Sequence, residues 1–148
     1  MSEHRASVQW SRSGEFHYET YSRSHLLRFR AGLAIAGSAA PQNIPATAAG
    51  APGVDPEQAF VASISACHML WFLHLACRAG FVVEAYEDAA LGVLDRTWMS
   101  RVTLRPRVSF SGKVPSEEEH RGLHHQAHER CFIANSVKTE ILLEPSIA

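Results

Sequence analysis

Thiols and imidazoles are the side chains of this sequence with chemistry of their own: three cysteines (Cys67, Cys77, Cys131) and nine histidines. A thiolate attacks electrophiles, becomes a sulfenic acid on meeting a peroxide, and is rescued when a second thiol condenses with it. Cys67 follows the small-residue patch Ala62-Ser63-Ile64-Ser65-Ala66. Cys77 lies on the same predicted helix, about 280° round it and about 15 Å along it, so those two cannot pair within an intact helix. If two cysteines meet within one subunit, Cys67 and Cys131, on different elements, are the pair to expect. The plain alternative is three free cysteines packed as small hydrophobes.

A second chemistry competes for the same region. His120, His124, His128 and Cys131 fall within an arc of about 80° on one helix face, a spacing at which imidazoles and a thiolate can share a zinc ion. His125 lies off that face. No Cys-x-x-Cys or His-Glu-x-x-His pattern accompanies the set, and a histidine-rich polar rim is the competing reading. His68, next to Cys67, points about 100° away from it and reads as a satisfied core histidine.

The elements that must position these groups follow from local pattern. Phe16, Tyr18 and Thr20 alternate with polar neighbours and predict a strand; Leu26, Leu27 and Phe29 predict another. Residues 37–54, rich in Ala, Gly and Pro, read as a long loop, a lid or a tolerated excursion. Asp55, Pro56 and Gln58 open a helix that ends before Gly80. Ala59 to Cys77 is apolar nearly all round. Its length would span a membrane, but two serines and two histidines argue instead for a helix buried on every side, between a sheet and a second subunit. Val83 to Val93 and Val102 to Phe110 predict two strands, the second in strict period two with an arginine row on its solvated face. Asp95 to Ser100 joins them. Ser116 and Glu119 form a capping box for a second helix to about Cys131, which continues or restarts through Phe132 to Val137 before a strand at Thr139 to Leu143. The order gives an α+β fold, an antiparallel sheet packed on a long central helix, in one domain spanning residues 1–148.

Composition narrows the partners. A net charge of -1 in 148 residues gives no pull toward nucleic acid or an anionic membrane. Met1 to Trp10 has no apolar core of a secretory signal, so a cytoplasmic location with free thiols is expected.

Two motifs carry a family resemblance. Asp55-Pro56-Glu57-Gln58, with Cys67 ten residues after Glu57, and Ala127-His128-Glu129-Arg130-Cys131 followed by Asn135 or Ser136 resemble the signatures of the OsmC/Ohr family, the osmotically inducible and organic hydroperoxide resistance proteins. The order of elements agrees over nearly the whole chain. The resemblance implies an intertwined homodimer and thiol-dependent reduction of organic hydroperoxides, with no metal, flavin or other cofactor and with an external dithiol as reductant. Cys67 would be the attacking thiolate and Cys131 the thiol that forms a disulfide with it, while Cys77 is structural. The family's activating arginine matches Arg23, with Arg28 as the alternative, and Glu57 would anchor it. Glu57 itself lies about 15 Å from Cys67 along a straight helix and cannot touch the thiol. Phe60, Met69, Trp71, Phe72 and Trp98 could wall an organic substrate, or be plain core. The sequence departs from the family pattern at Phe132, where proline is usual, at His68, where the hydroperoxide enzymes carry an aromatic, and in lacking their N-terminal Gly-Gly-Arg. It is therefore read as OsmC-like, outside the best-known hydroperoxide subgroup. The readings from another class are a metal-binding protein and a non-catalytic stress or ligand-binding protein whose Cys67 alkylates slowly.

Overall fold

The computed structural model describes residues 1–48 and 50–148. They form two compact units, Met1–Ala59 and Phe60–Ala148.

In the first unit, β1 (Ser7–Gln9), β2 (His25–Arg28) and β3 (Ala34–Gly37) make an antiparallel sheet in that order. The predicted strand at Phe16 to Thr20 is absent. The Thr20 and Tyr21 amides both donate to the His17 carbonyl, at 3.0 and 2.9 Å, and curl the chain into a turn. The alternating apolar residues are satisfied another way: Phe16 and Tyr21 pack with ring centroids 4.8 Å apart, and Trp10 joins them. Residues 37–54 hold two single-turn 3₁₀ segments, Pro41–Asn43 and Ala46–Ala48; Ala49, within this stretch, lies outside the described residues. The stretch is closed at its base, where Ser38 donates to the Val54 carbonyl (3.1 Å) and Val54 to that of Ala36 (2.9 Å). Gly53 is required there, because a Cβ would stand 2.7 Å from the Gly37 carbonyl carbon.

Helix α1 (Pro56–Arg78) starts as its sequence dictates. The Gln58 amide donates to Asp55 Oδ1 (2.7 Å), and the Asp55 amide donates back to Gln58 Oε1 (3.3 Å). It ends in a Schellman motif, with Phe81 N–H on the Ala76 carbonyl and Gly80 N–H on that of Cys77, both 3.0 Å. Gly80 takes φ +81°, the left-handed conformation the motif needs. Within one chain α1 is not buried all round. Ile64, His68, Phe72, Leu75 and Ala76 make a buried stripe, while Ala62, Ala66 and Leu70 on the other side are exposed. By length and hydropathy alone α1 would also pass as a membrane span.

In the second unit the two long strands expected from period-two alternation are each broken. They become β4 (Val82–Asp88), β5 (Leu91–Asp95), β6 (Trp98–Leu104) and β7 (Pro106–Ser111). Pro106 has no N–H to give to a ladder, and the Arg105 amide turns aside to Asp88 Oδ1 at 2.7 Å. Alternation of side chains persists through the break, so the pattern conceals it. On either side of the break the halves enter different sheets, β4-β7-β9 and β5-β6-β8. The capping box of Ser116 opens α2 (Glu117–Arg130). Strands β8 (Glu140–Leu143) and β9 (Ser146–Ile147) then add in parallel to β6 and β7, so both sheets are mixed rather than purely antiparallel. The arginine row is solvated, with Arg101 on Glu140 (3.0 Å) and Arg105 on Glu144 (2.8 Å). Phe72, Leu75 and Ala76 pack with Phe81, Val108, Leu123 and Ala127, and Ile64 packs with Val102 and Leu104. The class is α+β, helices on sheets.

Candidate functional site

Cys67 lies on the fourth turn of α1 and is half-buried; Cys131 is the fully buried C-cap of α2. The two thiols are within hydrogen-bonding reach of one another. Past Cys131 the chain folds back in a 3₁₀ turn, Ala134–Ser136, and the Ala134 amide donates to Cys131 Sγ at 3.4 Å. Burial, followed by the contact with Cys67, pushes the Cys131 thiol up to about 11, against the opposing pull of the Ala134 and Ile133 amides. Cys131 therefore holds its proton at neutral pH. Cys77 is exposed near the end of α1.

Three of the four residues that could have shared a zinc ion are divided between two arrangements. Cys131 faces Cys67. His124 uses both ring nitrogens, Nδ1 with His68 Nε2 at 2.9 Å and Nε2 with His120 Nε2 at 3.2 Å. A ring engaged at opposite ends cannot bring both neighbours to one ion. Among the described residues no group of three or more His, Cys, Asp or Glu side chains is disposed to hold a metal. The chain His68–His124–His120 is instead a core feature, with Phe72 stacked on His124 at 4.1 Å.

Burial, reinforced by His128 and opposed by Asp88, lowers His68 to about 4. Burial, with His120 and His68 beside it, lowers His124 to about 3, and burial lowers His120 as well. All three are neutral at pH 7. His68 is thus a core histidine satisfied at Nε2 only; its Nδ1, like His128 Nδ1, is buried with no hydrogen-bond partner among the described residues.

Arg23 and Glu57 lie in the first unit, on the wall of an open, mainly apolar cavity of about 480 Å³ shared with Trp10, Phe16, Tyr21 and Ile44. Arg23 donates to the carbonyls of Tyr21 (2.6 Å) and Tyr18 (2.9 Å), and its guanidinium carbon lies 3.4 Å from the Tyr21 ring centroid. Glu57 Oε1 accepts from Asn43 Nδ2 at 3.5 Å, and Oε2 is buried without a hydrogen-bond partner among the described residues. No ion pair joins Arg23 to Glu57. Arg28 is exposed, donates to Gln9 Oε1 (2.9 Å) and does not line the cavity.

The cavity's aromatic wall was missed in the sequence because Phe16 and Tyr21 read as strand residues. The five residues expected to wall a substrate are dispersed. Phe72 is core, Phe60 packs beside Ile64, and Trp71 meets Phe132 edge-on. Met69 is half-buried, and Trp98 is exposed under the Lys138 ammonium.

The sequence model of the OsmC-like protein family matches residues 48–146. A solved structure described as an OsmC-like protein of unknown function, from Vibrio cholerae O1 biovar eltor, is 43% identical, covers 98% of this chain and 99% of its own, and superposes with a TM-score of 0.92. The organic hydroperoxide resistance protein OsmC of Legionella pneumophila is 18% identical over 100% of this chain and 99% of its own, with a TM-score of 0.63. The organic hydroperoxide resistance protein OhrB of Bacillus subtilis is 21% identical over 97% and 98%, with a TM-score of 0.58. At those last two identities the likeness is one of fold. No curated protein sequence matches.

Proposed function

Since the chain belongs to the OsmC-like family, we propose that it is a cysteine-based peroxidase that reduces organic hydroperoxides. The observation that carries this reading is the half-buried Cys67 in reach of the buried, protonated Cys131. The Cys67 thiolate attacks the terminal oxygen of the hydroperoxide. The S–O bond forms, the O–O bond breaks, and the alkoxide leaves as the alcohol after taking a proton. The resulting sulfenic acid is attacked by Cys131, an S–S bond replaces S–O, and water departs. An external dithiol then reduces the disulfide by exchange. Burial of Cys131 suits its role, since a partner shielded from solvent meets only the sulfenic acid beside it.

Arg23 is the proposed activating cation and Glu57 its anchor. Support comes from their common place on an apolar cavity wall, which Arg28 lacks. The guanidinium supplies a permanent charge with several donors. A cytoplasmic homodimer is part of the same proposal, and the exposed apolar face of α1 at Ala62, Ala66 and Leu70 supports the dimer.

The test is thiol titration with intact mass, before and after one equivalent of tert-butyl or cumene hydroperoxide. Loss of two thiols and two hydrogens, mapped to Cys67 and Cys131, is expected. Unchanged thiols would sink the reading.

A further inference from the structure

The buried contact between α1 and α2 is apolar for much of its length, with Phe72, Leu75 and Ala76 against Leu123 and Ala127. Apolar burial selects which face of a helix turns inward, but being non-directional it fixes the finer rotation only loosely. A hydrogen bond does, because it weakens steeply with angle and distance. Thiol contact aside, one side-chain hydrogen bond joins the two helices among the described residues: His68 Nε2 to His124 Nδ1, 2.9 Å, fully buried. It lies one residue from Cys67 on α1 and about two turns from Cys131 on α2.

His124 is held from three directions, by His68, by His120 at its other nitrogen and by the Phe72 ring on its face. Phe72 meets His120 and His124, His68 meets His124, and Cys67 meets Cys131. The contacts descend one helix as they ascend the other, so the helices run antiparallel. A roll or slide at His124 is therefore passed along α2 to Cys131.

We infer that His68 and His124 are positioning residues for the thiol pair: their bond sets the rotation of α2 on α1 that brings Cys131 Sγ to Cys67. The inference rests on the proposed reading of those thiols as a redox couple. Disulfide closure tolerates little error, with Cβ atoms about 3.5–4.5 Å apart. A neutral imidazole pair satisfies the link with one shared proton, whichever nitrogen carries it.

The test uses diamide, a diazene oxidant, in place of a peroxide. One thiolate adds to N=N, the second attacks that sulfur and expels the hydrazine anion, and both protons end on nitrogen as the disulfide forms. The rate of Cys67–Cys131 closure is compared for wild type, His124→Leu and His124→Asn, with each fold checked by circular dichroism. The leucine variant is expected to close about tenfold more slowly or worse, and the asparagine variant, whose amide can stand where Nδ1 stood, within about threefold of wild type. Leucine fills more of the imidazole's volume than asparagine, so packing alone predicts the reverse order. Wild-type rates in both variants, or asparagine no faster than leucine, would overturn the inference.

Should the leucine variant not fold, nitrogen-15 spectra of the wild-type histidines decide the matter. His68 Nε2 and His124 Nδ1 must be one protonated and one bare; two bare or two protonated nitrogens would refute the bond. A pair that closes with diamide but ignores hydroperoxide would leave this inference standing and remove the peroxidase reading alone.

Discussion

Lowering the pH from 7 to 5 should unfold this protein more readily, through two histidines at the centre of its second unit. In the unfolded chain His68 and His124 titrate near 6.5, whereas in the fold they are lowered to about 4 and about 3. Both shifts come first from burial, and both residues are almost wholly inaccessible, at 1% exposure. A depressed histidine contributes stability that is intact above the unfolded pKa. It is lost as pH falls below that value, because the unfolded state then binds protons the folded state refuses. The loss levels off only near the folded pKa. Between pH 7 and 5 each histidine should cost about 2 kcal/mol, so the two together cost about 4 kcal/mol. Set against a typical domain stability of about 5–15 kcal/mol, that is a large fraction. The assay is urea unfolding followed by circular dichroism at pH 7, 6 and 5, in reductant and at one protein concentration, with the free energy extrapolated to water. A pH-7 to pH-5 difference below about 1 kcal/mol would refute the buried, neutral chain. His124→Phe, which keeps an aromatic ring against Phe72, should reduce the slope by about half, since one of the two titrating groups is gone.

Three further outcomes follow from the same residues. Cys67→Ser should abolish hydroperoxide consumption, whereas Cys131→Ser should allow one reaction that ends in overoxidation or in an adduct with added thiol, read by intact mass; full activity in Cys67→Ser would discard the mechanism. Arg23→Ala should lower kcat/KM for a hydroperoxide by about 10²-fold, and Arg23→Lys should recover only part of it, because a lysine lacks the planar fork of donors; steady-state kinetics with cumene hydroperoxide decide this. Gly80→Ala should cost about 1 kcal/mol in urea unfolding, since the Schellman motif holds that residue at φ +81°, and an unchanged midpoint would contradict the cap.

How much of this was legible in the sequence depended on whether the cause is local. The caps were legible, because Asp55 with Gln58, Ser116 with Glu119, and Gly80 each act within a few residues of themselves. The strand break was not. Leu104, Pro106 and Val108 keep one face of the alternation whether or not the ladder is interrupted, and only the missing N–H of Pro106 marked the place. The parallel additions of β8 and β9 depend on partners some 40 residues distant, and no local pattern encodes that choice.

The site divides along the same line. Cysteine type and family spacing pointed to Cys67 and Cys131, but the face shared by His120, His124 and His128 could say only that these rings project together, not what they meet. What they meet is decided by α1, where His68 occupies the same buried stripe as Ile64 and Phe72. A polar residue at i+4 from one core residue and i−4 from another was the available sign that a partner must come from a different element. The wall formed by Trp10, Phe16 and Tyr21 escaped notice for another reason: the alternation of Phe16, Tyr18 and Thr20 fits a strand, which would put Phe16 and Tyr21 on opposite faces, whereas the turn at His17 brings their rings together. Where a sequence pattern is compatible with two structures, a contact outside the pattern decides: for the histidine link that contact is 56 residues away, and for the aromatic wall it is the turn from His17 to Tyr21.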